Sequence, residues 1–189
     1  MSLGTALILT ALSLFFMNWR EDSRAGKAAD AIVPRLEEQV REPDGPRETS
    51  LPDPLDPEMT EVEIDGHFYI GYVYLEPFDL TLPVMSDWSY DKLQTAPCRF
   101  GGSTKTNDLV LMAHNYAKHF GQLGKLSEGD RVYFTDMDGV VTKYTVSAIE
   151  ILQPTAVEDM LAGEYDLTLF TCTYGGKSRV TVRCDRAEK

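Results

Sequence analysis

The feature that most constrains this chain is a C-terminal pair of strand-like runs around two glycines. Thr168-Leu169-Phe170-Thr171-Cys172 leads into Gly175-Gly176, and Ser178-Arg179-Val180-Thr181-Val182 leads out. A two-residue loop is the commonest strand connection and favours glycine. With Gly175 and Gly176 as that loop, Tyr174 faces Lys177, Thr173 faces Ser178 and Cys172 faces Arg179. Directly opposed residues share a face with Cβ atoms roughly 4.5–5.5 Å apart. A guanidinium that close favours a thiolate, the nucleophilic form of cysteine. The other cation on this strand, Arg183, falls opposite Thr168, roughly 13 Å along. Arg179 is therefore the expected partner. A buried structural cysteine is the competing explanation, since free cysteines are often fully buried.

An upstream histidine favours the nucleophile. Leu109–Ala113 is a short apolar run of the buried-strand kind that stops at His114-Asn115-Tyr116. A cysteine nucleophile needs an imidazole within reach. If these two strands are parallel neighbours, His114 and Cys172 emerge at one rim.

These segments resemble the sortases, cysteine transpeptidases of Gram-positive cell surfaces. Thr168-Leu169-Phe170-Thr171-Cys172 is similar to the family's Thr-Leu-x-Thr-Cys motif, Ala113-His114-Asn115 to its histidine segment, and Ser178-Arg179-Val180-Thr181-Val182 to its arginine strand. Phe120-Gly121, Leu123-Gly124, Leu126 and Gly129-Asp130 resemble the segment after the histidine. The resemblance covers roughly residues 59–189. Six residues separate Cys172 from Arg179, fewer than in many sortases, which implies a tight hairpin.

The resemblance implies a closed eight-stranded β-barrel with short helices, and His114, Cys172 and Arg179 as catalytic residues. It implies cleavage of an LPXTG-like sorting signal after Thr through a thioester. The acyl group then passes to an amine of a peptidoglycan precursor or a pilin, with attachment to the wall favoured over pilus assembly. The expected partners are surface proteins bearing that signal; no cofactor or metal is expected. A non-catalytic membrane-tethered barrel and a cell-wall cysteine peptidase are the alternatives. Papain-like order, with the cysteine before the histidine, disfavours the second.

The residues agree with a mainly-β domain. Short runs at residues 61–63 and 68–74, Leu80–Met85, Leu109–Ala113, residues 132–134 and 140–152, and the final hairpin are separated by Gly and Asp turns. Helical spacing is brief, at residues 86–93 and 156–161. The net charge of −12 is spread as −5 over residues 1–58 and −7 over residues 59–189. Neither part offers a basic surface for nucleic acid.

The N-terminal part divides differently. Residues 3–19 form a 17-residue uncharged run, about 25 Å long as a helix and at the short end for crossing a bilayer. Residues 1–20 are therefore expected to be a membrane anchor, single-pass with the catalytic domain extracellular. Residues 21–58 are expected to be a stalk. Ala29, Ile32, Val33, Leu36 and Val40 have helical spacing, Pro34 predicts a kink or division, and five prolines between 43 and 58 predict an extended spacer. The catalytic domain is expected over residues 59–189.

Three cysteines with no Cys-x-x-Cys pair, and histidines at 67, 114 and 119, fit neither a disulfide framework nor zinc. Strand alternation puts Cys184 with Val180 and Val182 in the core; a Cys98–Cys184 bridge is left open. Asp136-Met137-Asp138-Gly139 reads as a hairpin turn, lacking the remaining ligands of a calcium loop. His119 is expected in a polar loop, His67 in a solvated turn, and Tyr69, Tyr72 and Tyr74 against the sheet.

Overall fold

In the computed structural model, residues 3–41, 58–161 and 164–187 are described. Nine strands follow in chain order: β1 (Val62–Ile64), β2 (His67–Leu75), β3 (Leu80–Met85), β4 (Cys98–Gly101), β5 (Leu109–Ala113), β6 (Arg131–Asp136), β7 (Val141–Leu152), β8 (Leu167–Cys172) and β9 (Arg179–Arg186). Their lateral order is β1-β2-β3-β4-β5-β8-β9-β7-β6, and β2 also pairs with β6. That pairing closes strands β2 to β9 into the expected eight-stranded barrel, and β1 is a short extra hairpin strand.

Closure depends on one glycine. The first residues of β2 pair with β1, and from Gly71 onward the same edge pairs with β6. At the changeover the backbones approach so closely that a Cβ on Gly71, at φ +145°, would collide with the Thr135 carbonyl oxygen. Only glycine tolerates both that backbone and that approach.

Inward-facing residues such as Val73, Leu82, Leu111, Phe134, Leu169 and Val182 fill the barrel. Two patches of its outer wall are covered. Helix α1 (Leu3–Arg41) lays Ile32 and Leu36 on Ile64, Tyr69, Met85 and Cys98. The one-turn helix α3 (Val157–Leu161) sets Met160 on Val110 and Phe170. A further short helix, α2 (Tyr90–Leu93), starts at Ser89, whose hydroxyl accepts from the Lys92 N–H at 3.2 Å.

Several expectations need correction. The helix runs through Pro34 without division, and its 26–40 stretch packs against the barrel instead of standing clear as a stalk. Leu36 is fully buried, and burying such a side chain contributes about 1.5–3 kcal/mol, which secures the helix despite the proline. The N-terminal membrane helix is not supported, because no helix among the described residues is long and apolar enough to cross a membrane. The Pro-rich spacer, apart from Glu58, lies outside the described residues. Strand β4 was not anticipated: it has four residues and a register shift between Arg99 and Gly101, too short to show a period.

Candidate active site

Strands β5 and β8 are parallel neighbours, with Ala113 beside Thr171. The condition set by the sequence is met, and His114 and Cys172 leave the barrel at the same rim. Their strand ends are tied by the Thr171 hydroxyl, which donates to the Ala113 carbonyl at 2.8 Å from a buried position. Such a bond cannot be exchanged for water without loss.

Across the hairpin, Cys172 pairs with Arg179 and Thr168 with Arg183, the anticipated register. The loop is wider than two residues. Thr173 N–H donates to the Ser178 carbonyl at 2.9 Å, and Gly176 N–H returns to the Thr173 carbonyl at 2.8 Å. Four residues thus bridge the last pair. Because the loop gained one residue on each side, the opposition of Cys172 and Arg179 survives. Arg179 Nη1 donates to the carbonyls of Gly176 and Ser178 at 3.2 and 3.1 Å, which holds its guanidinium at the turn.

All three thiols are free. Cys98 and Cys184 are buried, and burial pushes the Cys98 thiol up to about 12 and raises that of Cys184 as well. Both stay protonated and enclosed. Cys172 alone is partly exposed, so it is the thiol that can meet a substrate.

The histidine segment is closed by its own backbone. Phe120 N–H donates to the His114 carbonyl at 3.2 Å, and His119 and Gly121 N–H groups donate to the Tyr116 carbonyl at 3.0 and 2.9 Å. A Cβ on Gly121 would stand 2.5 Å from the Asn115 carbonyl oxygen, so this fold of the loop requires glycine there. The Tyr116 ring lies 4.9 Å from His114 and 5.6 Å from His119. His119, expected in a polar loop, is fully buried, because the following 3-10 turn (Phe120–Lys125) anchors Phe120 and Leu123 in the core. Tyr116 was not singled out in the sequence; its place two residues past His114 was the available signal.

The Asp136 turn is a hairpin cap: its carboxylate accepts from the Asp138 and Val140 N–H groups at 3.0 and 2.9 Å. Desolvation raises its pKa. On the outer wall over β4 and the start of β5 lies a cleft of about 580 Å³ lined by Trp88, Arg99, Phe100, Gly101, Ser103 and Asp108, among others. Phe100 meets Phe170 edge-on at 5.2 Å and Trp88 at 6.0 Å. Phe170 shares its outward face with Cys172, so an aromatic path joins the cleft to the rim.

A barrel of this topology with cysteine, histidine and arginine at one rim defines a sortase-type protein. The family description "Sortase domain" matches residues 73–187, and the chain belongs to the sortase family. Among solved structures it is similar to sortase C1 from Streptococcus suis, at 30% identity and TM-score 0.55 over 64% of this chain and 74% of that one. Streptococcus pneumoniae sortase C superposes with TM-score 0.62 at 24% identity, covering 84% and 97% of the two chains. Sortase A from Corynebacterium diphtheriae gives 0.59 at 18%, covering 95% and 96%. No curated protein matches the chain.

Proposed function

We propose that the chain is a cysteine transpeptidase that cleaves an LPXTG-like sorting signal after Thr and transfers the protein to an amine. The observation that carries this is the placement of the one partly exposed thiol, Cys172, opposite Arg179 and beside the strand that delivers His114. Cys172 sulfur attacks the threonine carbonyl carbon, and the resulting oxyanion is stabilised by Arg179. The C–N bond breaks as His114 protonates the leaving amine, which leaves a thioester. The acceptor amine attacks that thioester, gives its proton to His114, and releases the Cys172 thiolate. Arg179 must turn from the Gly176 and Ser178 carbonyls, or use its other N–H groups, to reach the oxyanion.

The favoured acceptor is an amine of a peptidoglycan precursor. Pilin polymerisation is the second reading. It is favoured by the similarity to sortase C structures, of which the S. pneumoniae enzyme is described in terms of pilin substrate specificity. For location, the reading is a membrane-attached enzyme with an extracellular catalytic domain. Leu7, Ile8, Leu12, Phe15 and Phe16 are exposed along α1, and an exposed apolar stretch of this kind suits attachment to a lipid surface.

Incubation with a sorting peptide, with and without an amine, followed by mass spectrometry, tests the chemistry. A peptide adduct on Cys172 and its transfer to the amine are expected. A Cys172→Ala chain that still forms the thioester would sink the assignment, and no adduct with the wild-type chain would favour a binding module. Arg179→Ala is expected to lose about 10²-fold in acylation rate.

A further inference from the structure

Arg183 has no part in the chemistry just described, yet it is the most heavily engaged cation among the described residues. It lies on the same outward face of β9 as Arg179, four residues further on, and is only 3% exposed. Its Nε donates to Glu150 at 2.9 Å, Nη1 to the Thr168 hydroxyl at 3.1 Å and the Met160 carbonyl at 3.4 Å, and Nη2 to the Asp159 carbonyl at 2.6 Å. The Tyr165 ring covers it with its centroid 5.2 Å from Cζ. Two of these acceptors are main-chain carbonyls of α3, where a cation also meets the negative end of the helix.

The helix has little else to hold it. Among residues 153–161, Met160 is the single buried side chain. Yet α3 lies on the outer wall that leads along β8 toward Cys172. Met160 rests on Phe170, two residues before Cys172 on the same face, and Leu161 sits over Gly101 at the edge of the aromatic cleft.

We propose that Arg183 is a positioning residue for the donor peptide: a buried cation that clamps α3 as one wall of the groove beside Cys172. It sets peptide affinity through that wall and leaves the reactivity of the thiol untouched. The inference rests on the transpeptidase reading above. A lysine cannot replace it, because its single ammonium lacks the planar fork that reaches Glu150, Thr168 and both carbonyls together.

The test compares wild type with Arg183→Lys, which keeps the charge beside Glu150, and with Arg183→Gln. Three quantities are read: amide hydrogen exchange over residues 157–161, KM and kcat for acylation by an LPXTG peptide, and the rate of Cys172 alkylation by iodoacetamide. In the folded variants, exchange of α3 amides and KM are each expected to rise about tenfold, with kcat and alkylation within about twofold of wild type. Should Arg183→Gln fail to fold, Arg183→Lys alone decides. Unchanged exchange in a folded variant would overturn the clamp. A fall in kcat at constant KM would place Arg183 in the chemistry and overturn the positioning role. Loosened α3 with unchanged KM would overturn the groove role. A wild-type chain that acylates with no sorting peptide, while its α3 exchange still depends on Arg183, would overturn the transpeptidase reading and the groove role with it, and would leave the clamp standing.

Discussion

The barrel wears two covers on its outer wall, and they are held by opposite means. Helix α1 lies over β2, β3 and β4 through apolar burial, with Ile32 and Leu36 seated among Ile64, Tyr69, Met85 and Cys98. Helix α3 lies over β5 and β8 through one methionine and one buried guanidinium. Apolar burial is non-directional and tolerates small displacements, whereas a fork of hydrogen bonds fixes one position and fails when that position is lost. The α1 cover, whose Gly26 also meets the Lys118 side chain after His114, is thus part of the core, and the α3 cover is a short element held by directed bonds. Elements that bind ligands are drawn from the less stable end of a fold.

The largest test of this contrast is removal of α1. A fragment beginning near residue 58 is expected to lose cooperative unfolding or to aggregate, because it bares the patch around Tyr69 and Met85. One beginning near residue 20 is expected to keep wild-type stability, since the exposed Leu7–Phe16 side chains touch no core. Urea melts of the two fragments decide the matter. Equal stability would mean that α1 is dispensable and that the two covers do not differ.

Single substitutions sharpen the comparison. Leu36→Ala is expected to cost about 2–5 kcal/mol of global stability, the range for a fully buried leucine. Met160→Ala removes a side chain just as buried, yet is expected to cost less than about 2 kcal/mol globally, because α3 can lift locally without opening the barrel. Denaturant midpoints measure the first, and hydrogen exchange locates the second. A Met160→Ala loss as large as that of Leu36→Ala would show that α3 is also core.

The contrast was only half legible in the sequence. The opposition of Cys172 and Arg179 was within reach because hairpin register is local: it follows from turn position and period-two alternation. A loop that widened symmetrically left that register intact. The parallel β5–β8 pairing stood only as a condition, since no local pattern sets the pairing of strands so far apart in the chain. Leu36 carried a helical period but no statement of what it would pack on, so a core helix read as a stalk. Pro34 reinforced the error, since tertiary burial overrode a local helix breaker. His119 was expected in a polar loop beside Lys118, while its burial depends on Phe120 reaching the barrel core. Arg183 was weighed only as a rival to Arg179. Its four acceptors come from β7, α3 and β8, 15 to 33 residues away, and no local pattern announces them.

The α1 cover also carries a pH signature. Burial pushes Tyr69 from 10.0 up to about 12 and Cys98 from 9.0 up to about 12. The folded chain keeps these protons where the unfolded chain releases them. Their contribution to stability is therefore whole below about pH 9 and is lost as pH climbs to about 12. Tyr144, inside the barrel, is likewise raised to about 12, so the loss must be assigned by substitution. Tyr69→Phe is expected to flatten part of the alkaline decline measured by urea melts between pH 8 and about 11. An unchanged slope would remove Tyr69 from the account.

The smallest expected effect lies at the margin of the α1 contact. Arg35 pairs with Asp65 at 2.6 Å, linking the helix to the β1–β2 turn, but the two side chains are 48% and 67% exposed. Water and salt screen such a pair, and the two side chains lose rotamer freedom in forming it, so its contribution falls within about 0–1 kcal/mol. Asp65 also adopts φ +52° at the turn, a backbone that asparagine accepts well. Asp65→Asn therefore removes the charge with little backbone strain and isolates the ion pair. A double-mutant cycle of Asp65→Asn with Arg35→Gln is expected to give a coupling below about 1 kcal/mol that shrinks further at high salt. A larger, salt-insensitive coupling would mean that α1 is held by directed polar bonds as α3 is, and the distinction between the two covers would fail.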